Sequence, residues 1–210
     1  MHILVNTLIF DLDGTLVDSL ADIALAINQM RNELGLAPLK ANTVLSYIGD
    51  GARELVSRAL HGEVADLKRA LDRFILIYQE HICDQTQLMP GVIETLERFS
   101  EKNLAIVTNK PSALTEDILQ KLKIKRYFQL VLGSDSTKNI KPHPEPILKT
   151  MEHFHVTSQK TIMIGDHHTD IKAGKAAGVW TCFVKGFGKI EDSEPDVRID
   201  NLAGLELHIH

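Results

Sequence analysis

The sequence predicts an α/β fold, a Rossmann-like parallel sheet core with an inserted α-helical cap subdomain. Two observations predict it. Short apolar segments alternate with helical patterns over residues 1–17 and 89–210, which is typical of a parallel sheet covered by helices on both faces. Residues 18–88 show helical periodicity only, so we expect a helical cap there, inserted after the first strand.

The core elements follow in order along the chain. Buried strands are predicted at residues 8–10, 104–108, 130–132, 161–164 and 179–183. Apolar residues at helical spacing predict helices around residues 92–99, from Ser112 to Leu122 and from Pro144 to Phe154. Strands that alternate with helices in this way favour parallel pairing within one sheet.

The cap is predicted to contain three helices, at residues 20–34, 55–60 and 64–82. Ser19 is placed to cap the first helix and Gly35 to end it. Val64 is the first apolar position of the third helix. Pro90 and Gly91 mark the return to the alternating pattern, so the two chain crossings are expected near residues 16–19 and 87–91.

The overall composition argues against several classes of function. The chain has 23 Lys and Arg against 28 Asp and Glu, a formal net charge of -5, whereas nucleic-acid binding depends on basic patches. No apolar stretch approaches the length of a membrane helix, and residues 1–10 lack the features of a signal peptide. The two cysteines, Cys83 and Cys182, match no metal-binding spacing, and we expect buried thiols in a reducing cytoplasm.

Polar side chains follow three of the predicted strands. Asp11 ends the first strand, with Asp13 two residues later. Thr108 and Asn109 end the strand at 104–108, and Asp166 follows the strand at 161–164, with Asp170 four residues beyond it. Because ligands bind at the carboxyl ends of parallel strands, we expect these groups to meet at one edge of the sheet.

Such a cluster of carboxylates needs a counter-charge. Two carboxylates about 4 Å apart at an effective dielectric near 20 repel each other by roughly 4 kcal/mol. Either a proton or a cation must relieve the repulsion. An oxygen-only set suits Mg²⁺, so we expect Asp11, Asp166 and the main-chain oxygen of Asp13 to bind it.

Four motifs give the sequence a family resemblance. They are "DLDGTLVDS", "TN" after an apolar strand, "KPHPEP" and "GDHHTD". In this order and at strand ends, they resemble the haloacid-dehalogenase-like phosphatase superfamily from about residue 8 to residue 178. The segments "IGDGARELVSRAL" and "YQEHICDQTQLMPGV" look like the cap and hinge of phosphoglycolate phosphatases.

The resemblance implies a role for each motif residue. Asp11 would be the nucleophile that forms an aspartyl-phosphate, and Asp13 the general acid and then the base. Thr108 and the main chain of Asn109 would hold phosphoryl oxygens. Lys141 would neutralise charge on the nucleophile and the phosphoryl group.

The resemblance assigns the remaining acidic motif residues to metal binding. Asp166 would bind Mg²⁺, and Asp170 would bind or orient the metal shell. Asp170 is also placed to cap a helix and to compensate its dipole. The two histidines after Asp166 are a departure, because phosphoglycolate phosphatases usually carry serine after the "GD". His167 and His168 are either exposed loop residues or groups that modify the metal shell.

The cap is expected to recognise the substrate. Gly49 and Gly51 in "IGDGAREL" allow a tight loop with free main-chain N–H groups, and Arg53 lies in the first turn of the helix that follows. We therefore expect Gly51 and Arg53 to bind a substrate carboxylate, although Arg53 also fits an ordinary surface position.

Together these features predict a Mg²⁺-dependent phosphatase acting on a small phosphorylated metabolite, with 2-phosphoglycolate as the first choice. The alternatives are a phosphosugar mutase with the same motifs, a pyrophosphatase or nucleotidase of the superfamily, and a catalytically silent phosphate-binding protein. Release of inorganic phosphate distinguishes the phosphatase from the mutase.

Overall fold

The computed structural model describes residues 3–63, 66–190 and 193–210. It confirms the predicted α/β fold class. The strands are β1 Thr7–Phe10, β2 Val17–Asp18, β3 Gln87–Leu88, β4 Asn103–Val107, β5 Leu130–Leu132, β6 Thr161–Gly165, β7 Trp180–Val184 and β8 Val197–Ile199. Six parallel strands form one sheet in the order β5-β4-β1-β6-β7-β8, and a short antiparallel pair, β2 and β3, forms a second sheet.

The helices divide into those that cover the sheet and those that lie between β2 and β3. The four between β2 and β3 are α1 Leu20–Glu33, α2 Ala41–Leu45, α3 Ala52–Leu60 and α4 Leu67–Glu80. The others are α5 Val92–Arg98, α6 Ser112–Lys121, α7 Glu145–Phe154 and α8 His168–Ala177. Short 3-10 helices lie at Lys125–Tyr127, Ser158–Lys160 and Leu202–Leu207.

We call α1 to α4 the helical insert. The chain leaves for the insert through β2 and returns through β3, and these two strands pair with each other, Val17 with Leu88 and Asp18 with Gln87. The division into a core of residues 1–17 and 89–210 and a cap of residues 18–88 remains a prediction, and this two-stranded ribbon lies at both of its boundaries.

The two faces of the main sheet are buried against different partners. Along β1, Leu8 and Phe10 are fully buried in an apolar cluster that also contains Phe74 of the insert. Ile9 faces the other side, in a cluster with Ile147 of α7. This alternation follows from the period of two along a strand. Because these three residues of β1 are all apolar, the next polar side chain comes only after the strand ends.

Several local features differ from the sequence prediction. Ser19 precedes α1, but its side chain makes no capping hydrogen bond to that helix, so the predicted cap was wrong. Instead, an oxygen of Asp18 accepts a hydrogen bond from the main-chain N–H of Leu20. Val64 lies outside the described residues, and α4 begins at Leu67 with Asp66 as its N-cap.

Elements α2 and β8 were not predicted at all. They contain five and three residues, which is too short for a period of 3.6 or 2 to stand out. Within the described residues, no helix is long and apolar enough to cross a membrane. Cys182 is buried and Cys83 is half-buried, and both are free thiols.

Candidate active site

Three neighbouring strands bring polar side chains to one edge of the sheet. Because Phe10 pairs with Ile106 on β4 and with Ile164 on β6, the residues that follow these strands lie side by side. Asp11, Thr108 and Asp166 are those residues, and all three are buried. The parallel register alone therefore gathers groups that are about 60 to 150 residues apart in sequence.

A buried lysine joins two of the aspartates. The Nζ atom of Lys141 donates to Asp11 Oδ1 at 2.9 Å, to Asp170 Oδ1 at 2.6 Å and to the main-chain oxygen of Val107 at 2.6 Å. The Lys141 side chain is only 1% exposed. We call Asp11, Asp166, Asp170 and Lys141 the Lys141 cluster.

Asp166 completes this cluster from the other side. Its Oδ2 accepts hydrogen bonds from the main-chain N–H groups of Phe187 and Gly188, at 2.7 and 2.8 Å. One oxygen from each of Asp11, Asp166 and Asp170 lies within 4.8 Å of the other two. A Cβ on Gly14, which has a φ of +83°, would lie 2.2 Å from Asp166 Oδ2, so only glycine fits beside this carboxylate.

The crowding of carboxylates shows in their pKa values. Burial, followed by the charges of Asp11 and Asp170, raises the pKa of Asp166 to about 8. Burial also raises the pKa of Asp11 to about 6, although Lys141 opposes the rise. For Lys141, burial alone would lower the pKa, but the charges of Asp11 and Asp170 outweigh it and raise the pKa.

The charges of this cluster do not balance. Three carboxylates face a single ammonium group, which leaves two negative charges without a partner when all four groups are ionised. An oxygen-only set with this excess charge fits a hard divalent cation. Hydrogen bonds from uncharged donors orient the carboxylates without neutralising them: Phe187, Gly188 and Thr15 donate to Asp166, and the main-chain N–H of His167 donates to Asp170.

Asp13 has a different set of partners. Its Oδ1 accepts from Lys110 Nζ at 2.7 Å and from Ser19 Oγ at 2.5 Å. Lys110 Nζ also donates to the hydroxyl of Tyr78, at 2.9 Å, and lies 4.7 Å from the centre of the Tyr78 ring. Because Tyr78 belongs to α4, this group of four residues, which we call the Lys110 cluster, links the core to the helical insert.

Three members of the Lys110 cluster, Ser19, Tyr78 and Lys110, are buried, and Asp13 is half-buried. Burial raises the pKa of the Tyr78 hydroxyl to about 12, so Tyr78 is a neutral acceptor toward lysine at ordinary pH. Burial would lower the pKa of Lys110, but Asp13 and then Tyr78 outweigh it and raise the pKa. Lys110 is therefore a cation that stands between the insert and Asp13.

Of the other predicted binding residues, three line the cavity and one does not. Thr108, Asn109 and Gly51 line the same cavity as Asp11 and Asp13. The Asn109 amide donates to the main-chain oxygens of Gly49 and Lys141, each at 2.9 Å. Arg53 is exposed and does not line this cavity.

The start of α8 combines capping with the site. Asp170 Oδ2 accepts from the main-chain N–H of His167 while Oδ1 accepts from Lys141. His167 in turn caps α8 through its ring, and it lines the cavity. Burial, followed by the charge of His168, lowers the pKa of His167 to about 4.

Sequence reasoning missed the partners of Asp13. Lys110 directly follows the "TN" motif and Ser19 ends "DLDGTLVDS", so their closeness to known motif residues was the available signal. Tyr78 was recognised only as an apolar position of a helix. Phe187 and Gly188, which bind Asp166, gave no signal because they act through their main chain.

Known proteins resemble this chain along most of its length. Residues 8–184 match the family model described as haloacid dehalogenase-like hydrolase. A phosphoglycolate phosphatase from Haemophilus influenzae is 39% identical, over 93% of this chain and 94% of the relative. Another from Aquifex aeolicus is 34% identical, over 95% and 94%. The crystal structure of a predicted phosphoglycolate phosphatase from Haemophilus somnus superimposes with a TM-score of 0.91 at 33% identity, over 97% of each chain.

Proposed function

Since the chain belongs to the haloacid dehalogenase-like hydrolase family, we propose that it is a Mg²⁺-dependent phosphatase that hydrolyses 2-phosphoglycolate through an aspartyl-phosphate. The observation that carries the proposal is the Lys141 cluster, in which Lys141 holds Asp11 through one oxygen at the edge of a cavity. Relatives named phosphoglycolate phosphatase, similar over more than nine-tenths of the chain, support the choice of substrate.

Asp11 is the proposed nucleophile. Lys141 binds Oδ1 of Asp11, which leaves Oδ2 to attack phosphorus. The P–O bond to the leaving group breaks as the bond from Asp11 to phosphorus forms. Lys141 stays hydrogen-bonded to Asp170 throughout, so its ammonium group is fixed beside the charge that develops on the phosphoryl group.

Asp13 is the proposed proton donor and acceptor. It gives a proton to the leaving oxygen in the first step. In the second step it takes a proton from the water that attacks the aspartyl-phosphate, which releases inorganic phosphate and restores Asp11. Lys110 and Ser19 both bind Oδ1 of Asp13, so Oδ2 is the oxygen left to carry the proton.

The proposed metal ligands are Asp11 and Asp166, with the main-chain oxygen of Asp13, and Asp170 orients the set. The oxygen-only donors and their uncompensated charge are what fit Mg²⁺. When bound, the ion supplies the positive charge that lets an anionic nucleophile approach an anionic phosphate. Thr108 and the main chain of Asn109 are proposed to hold the phosphoryl oxygens.

The substrate carboxylate needs a site of its own. The cavity includes Gly51 and Ala52 at the start of α3, and no side chain caps this helix. Its first-turn N–H groups therefore suit an anion, and we propose that Gly51 and Arg53 receive the carboxylate. Because Arg53 is exposed in this structure, its side chain must turn inward to make that contact.

The test is phosphate release from a panel of phosphorylated metabolites with Mg²⁺, including 2-phosphoglycolate, a hexose phosphate, pyrophosphate, a nucleoside monophosphate and an uncharged aryl phosphate. We expect the highest kcat/KM on 2-phosphoglycolate. Isomer formation from the hexose phosphate without phosphate release would instead make the protein a mutase. No turnover of any member would leave a phosphate-binding protein.

The nucleophile is tested by Asp11→Asn, with Asp72→Asn on the exposed face of α4 as the matched control. We expect Asp11→Asn to abolish turnover and the covalent intermediate, while the control behaves as wild type. Near wild-type turnover by Asp11→Asn contradicts the proposed role.

A further inference from the structure

We propose that Asp50, His167 and His168 form a second metal site, which binds a dication of the zinc class and ties the helical insert to the core. One ligand atom from each of these residues lies within 4.8 Å of the other two. Asp50 lies in the loop between α2 and α3, whereas the histidines lie at the start of α8. The site therefore spans two parts of the chain that are separated by more than 110 residues.

The donor chemistry differs from that of the Lys141 cluster. Two imidazoles and one carboxylate are a ligand set that zinc uses when it keeps its fourth position open. A set of oxygens alone favours Mg²⁺ instead. The same ion is therefore not expected to prefer both sites, and excess Mg²⁺ should leave the Asp50 site available to zinc.

Two of the proposed ligand atoms lie slightly farther apart than a bound zinc ion requires. His168 Nε2 and Asp50 Oδ1 are 3.9 Å apart. Zinc–ligand distances of about 2.0–2.2 Å put two ligands of a tetrahedral ion roughly 3.4 Å apart, so this pair needs to approach by about half an ångström. Both side chains are only about one-fifth exposed, 19% for His168 and 22% for Asp50, which limits competition from water.

The surroundings hold the ligands in place. Arg58 binds Asp50 Oδ2 at 2.7 Å, which leaves Oδ1 on the side of His168. His167 Nδ1 lies 3.1 Å from the hydroxyl of Thr169, so Nε2 is available to a metal in the tautomer that carries its proton on Nδ1 and donates it to this hydroxyl. A ligating histidine usually donates its other ring N–H in this way. In that tautomer Nδ1 no longer accepts the 3.5 Å hydrogen bond from the main-chain N–H of Thr169.

The His167 ring also lies between two glycines. A Cβ on Gly49 would lie 2.7 Å from ring atoms of His167, and a Cβ on Gly188 would lie 2.8 Å from its Cδ2. Any larger residue at either position would push the ring away. Capping α8 does not require this fit, because serine, which the resemblance leads us to expect at position 167, caps helices at least as well as histidine.

A metal at this site would restrain the cavity. Gly49 and Gly51, which flank Asp50, line the cavity together with His167. An ion that joins Asp50 to the histidines would fix this loop of the insert against the core and slow the exchange of substrate and product. Zinc is therefore expected to inhibit, and this consequence, unlike the binding itself, rests on the proposed phosphatase function.

Binding is tested by calorimetric titration of the whole protein with Zn²⁺ in excess Mg²⁺. We expect wild type and Asp166→Asn to bind Zn²⁺ alike, and His168→Gln and Asp50→Asn to bind at least about tenfold more weakly. His143→Gln, an exposed histidine beside Glu145, is the matched control and should bind as wild type. Thermal unfolding verifies folding, and His167→Ser gives the same test if His168→Gln does not fold.

Two results would overturn the site. One is equal Zn²⁺ affinity in wild type, His168→Gln and His167→Ser. The other is zinc binding that disappears in Asp166→Asn, which would place the ion in the Lys141 cluster. Both results are independent of whether the protein cleaves any phosphomonoester.

The restraint is tested by turnover of 2-phosphoglycolate at saturating Mg²⁺. We expect His168→Gln to need at least about tenfold more Zn²⁺ than wild type for half inhibition, in line with its weaker binding. The same inhibition in both proteins would overturn the restraint. If no phosphomonoester is cleaved, the proposed function fails, and the titration alone decides the site.

Discussion

The two buried lysines of the candidate active site differ in how they contact the helical insert. Within the part of the chain that the structure describes, the ammonium group of Lys141 hydrogen-bonds only to core groups, namely Asp11, Asp170 and a main-chain oxygen of β4. Lys110 contacts Asp13 on one side and Tyr78 of the helical insert on the other. The Lys141 cluster therefore takes no member from the insert, whereas the Lys110 cluster takes Tyr78 from it.

The two clusters also differ in net charge. The Lys141 cluster has three carboxylates and one ammonium, so its excess negative charge is relieved by a proton or by a further cation. In the Lys110 cluster one carboxylate faces one ammonium, and the pair is balanced. We infer that the first cluster is built for binding a metal and a phosphate, and that the second positions Asp13 in response to the insert.

The largest expected effect is on catalysis by Lys141→Met. Loss of one preorganised charge beside the phosphoryl group typically raises the barrier by about 3–4 kcal/mol, so kcat should fall by roughly 10²–10³-fold. Steady-state phosphate release measures it. Lys138→Met, an exposed lysine of the same loop, is the control. An unchanged kcat in Lys141→Met would make the lysine structural only.

Lys110→Met should lower stability, in addition to lowering the kcat that depends on the position of Asp13. Breaking a buried ion pair typically costs about 3–5 kcal/mol, because the remaining charge stays buried without a partner. Urea unfolding should show this loss with and without Mg²⁺, since Asp13 contributes no carboxylate to the Lys141 cluster. The exposed pair of Lys68 and Asp72 provides the control, because Lys68→Met should cost about 1 kcal/mol or less. A rescue of Lys110→Met by Mg²⁺ would contradict the separation of the two clusters.

Stability without metal should fall as the pH rises. Asp11 and Asp166 have pKa values of about 6 and about 8 in the fold, above the ordinary value of 3.8. A carboxyl group whose pKa is raised in the fold contributes to the free energy of unfolding. This contribution is complete below pH 3.8 and is lost as the pH rises through the pKa values of the folded state.

Mg²⁺ should reverse this loss, because it binds the ionised carboxylates. At a concentration of 100 times its dissociation constant the gain is about 2.7 kcal/mol. Unfolding at pH 5 and pH 8, in chelator and in Mg²⁺, should therefore show the larger metal effect at pH 8. An equal effect at both pH values, or one that persists in Asp166→Asn, would show that the ion binds elsewhere.

The smallest expected effect is that of Tyr78→Phe, which removes only the hydroxyl that accepts from Lys110. The net value of a hydrogen bond to a charged group is about 1.5–3 kcal/mol, and the ring remains to interact with the ammonium. We expect a fall in kcat of about tenfold with little change in the binding of Mg²⁺. Tyr127→Phe, in a 3-10 helix of the core, is the control. No change in kcat would mean that Lys110 positions Asp13 without the insert.

The same two clusters show what the sequence could predict. Asp11 and Asp166 end buried strands, and parallel strands end at one edge, so their meeting followed from the pattern of apolar residues. Lys141 was selected only through its motif, because it lies in a loop and no periodicity points to it.

The Lys110 cluster depended on contacts that no local pattern encodes. Tyr78 occupies an apolar position of α4, and only the packing of α4 over the core brings its hydroxyl to Lys110. Ser19 was predicted to cap α1 by accepting from a main-chain N–H, but it makes no such bond, and its hydroxyl donates to the carboxylate of Asp13 instead. The sequence therefore located Ser19 at the start of α1 without revealing the partner of its side chain.

The ribbon formed by β2 and β3 has a consequence for how this fold can be altered. The chain enters and leaves the helical insert at paired residues, and Asp22 on α1 binds the main chain of Gln85 and Thr86 just before β3. The two ends of the insert are therefore neighbours, so a different segment with adjacent ends could replace it without lengthening any connection of the main sheet. If the insert selects the substrate, as we propose, the reaction chemistry and the choice of substrate can be exchanged separately at this ribbon.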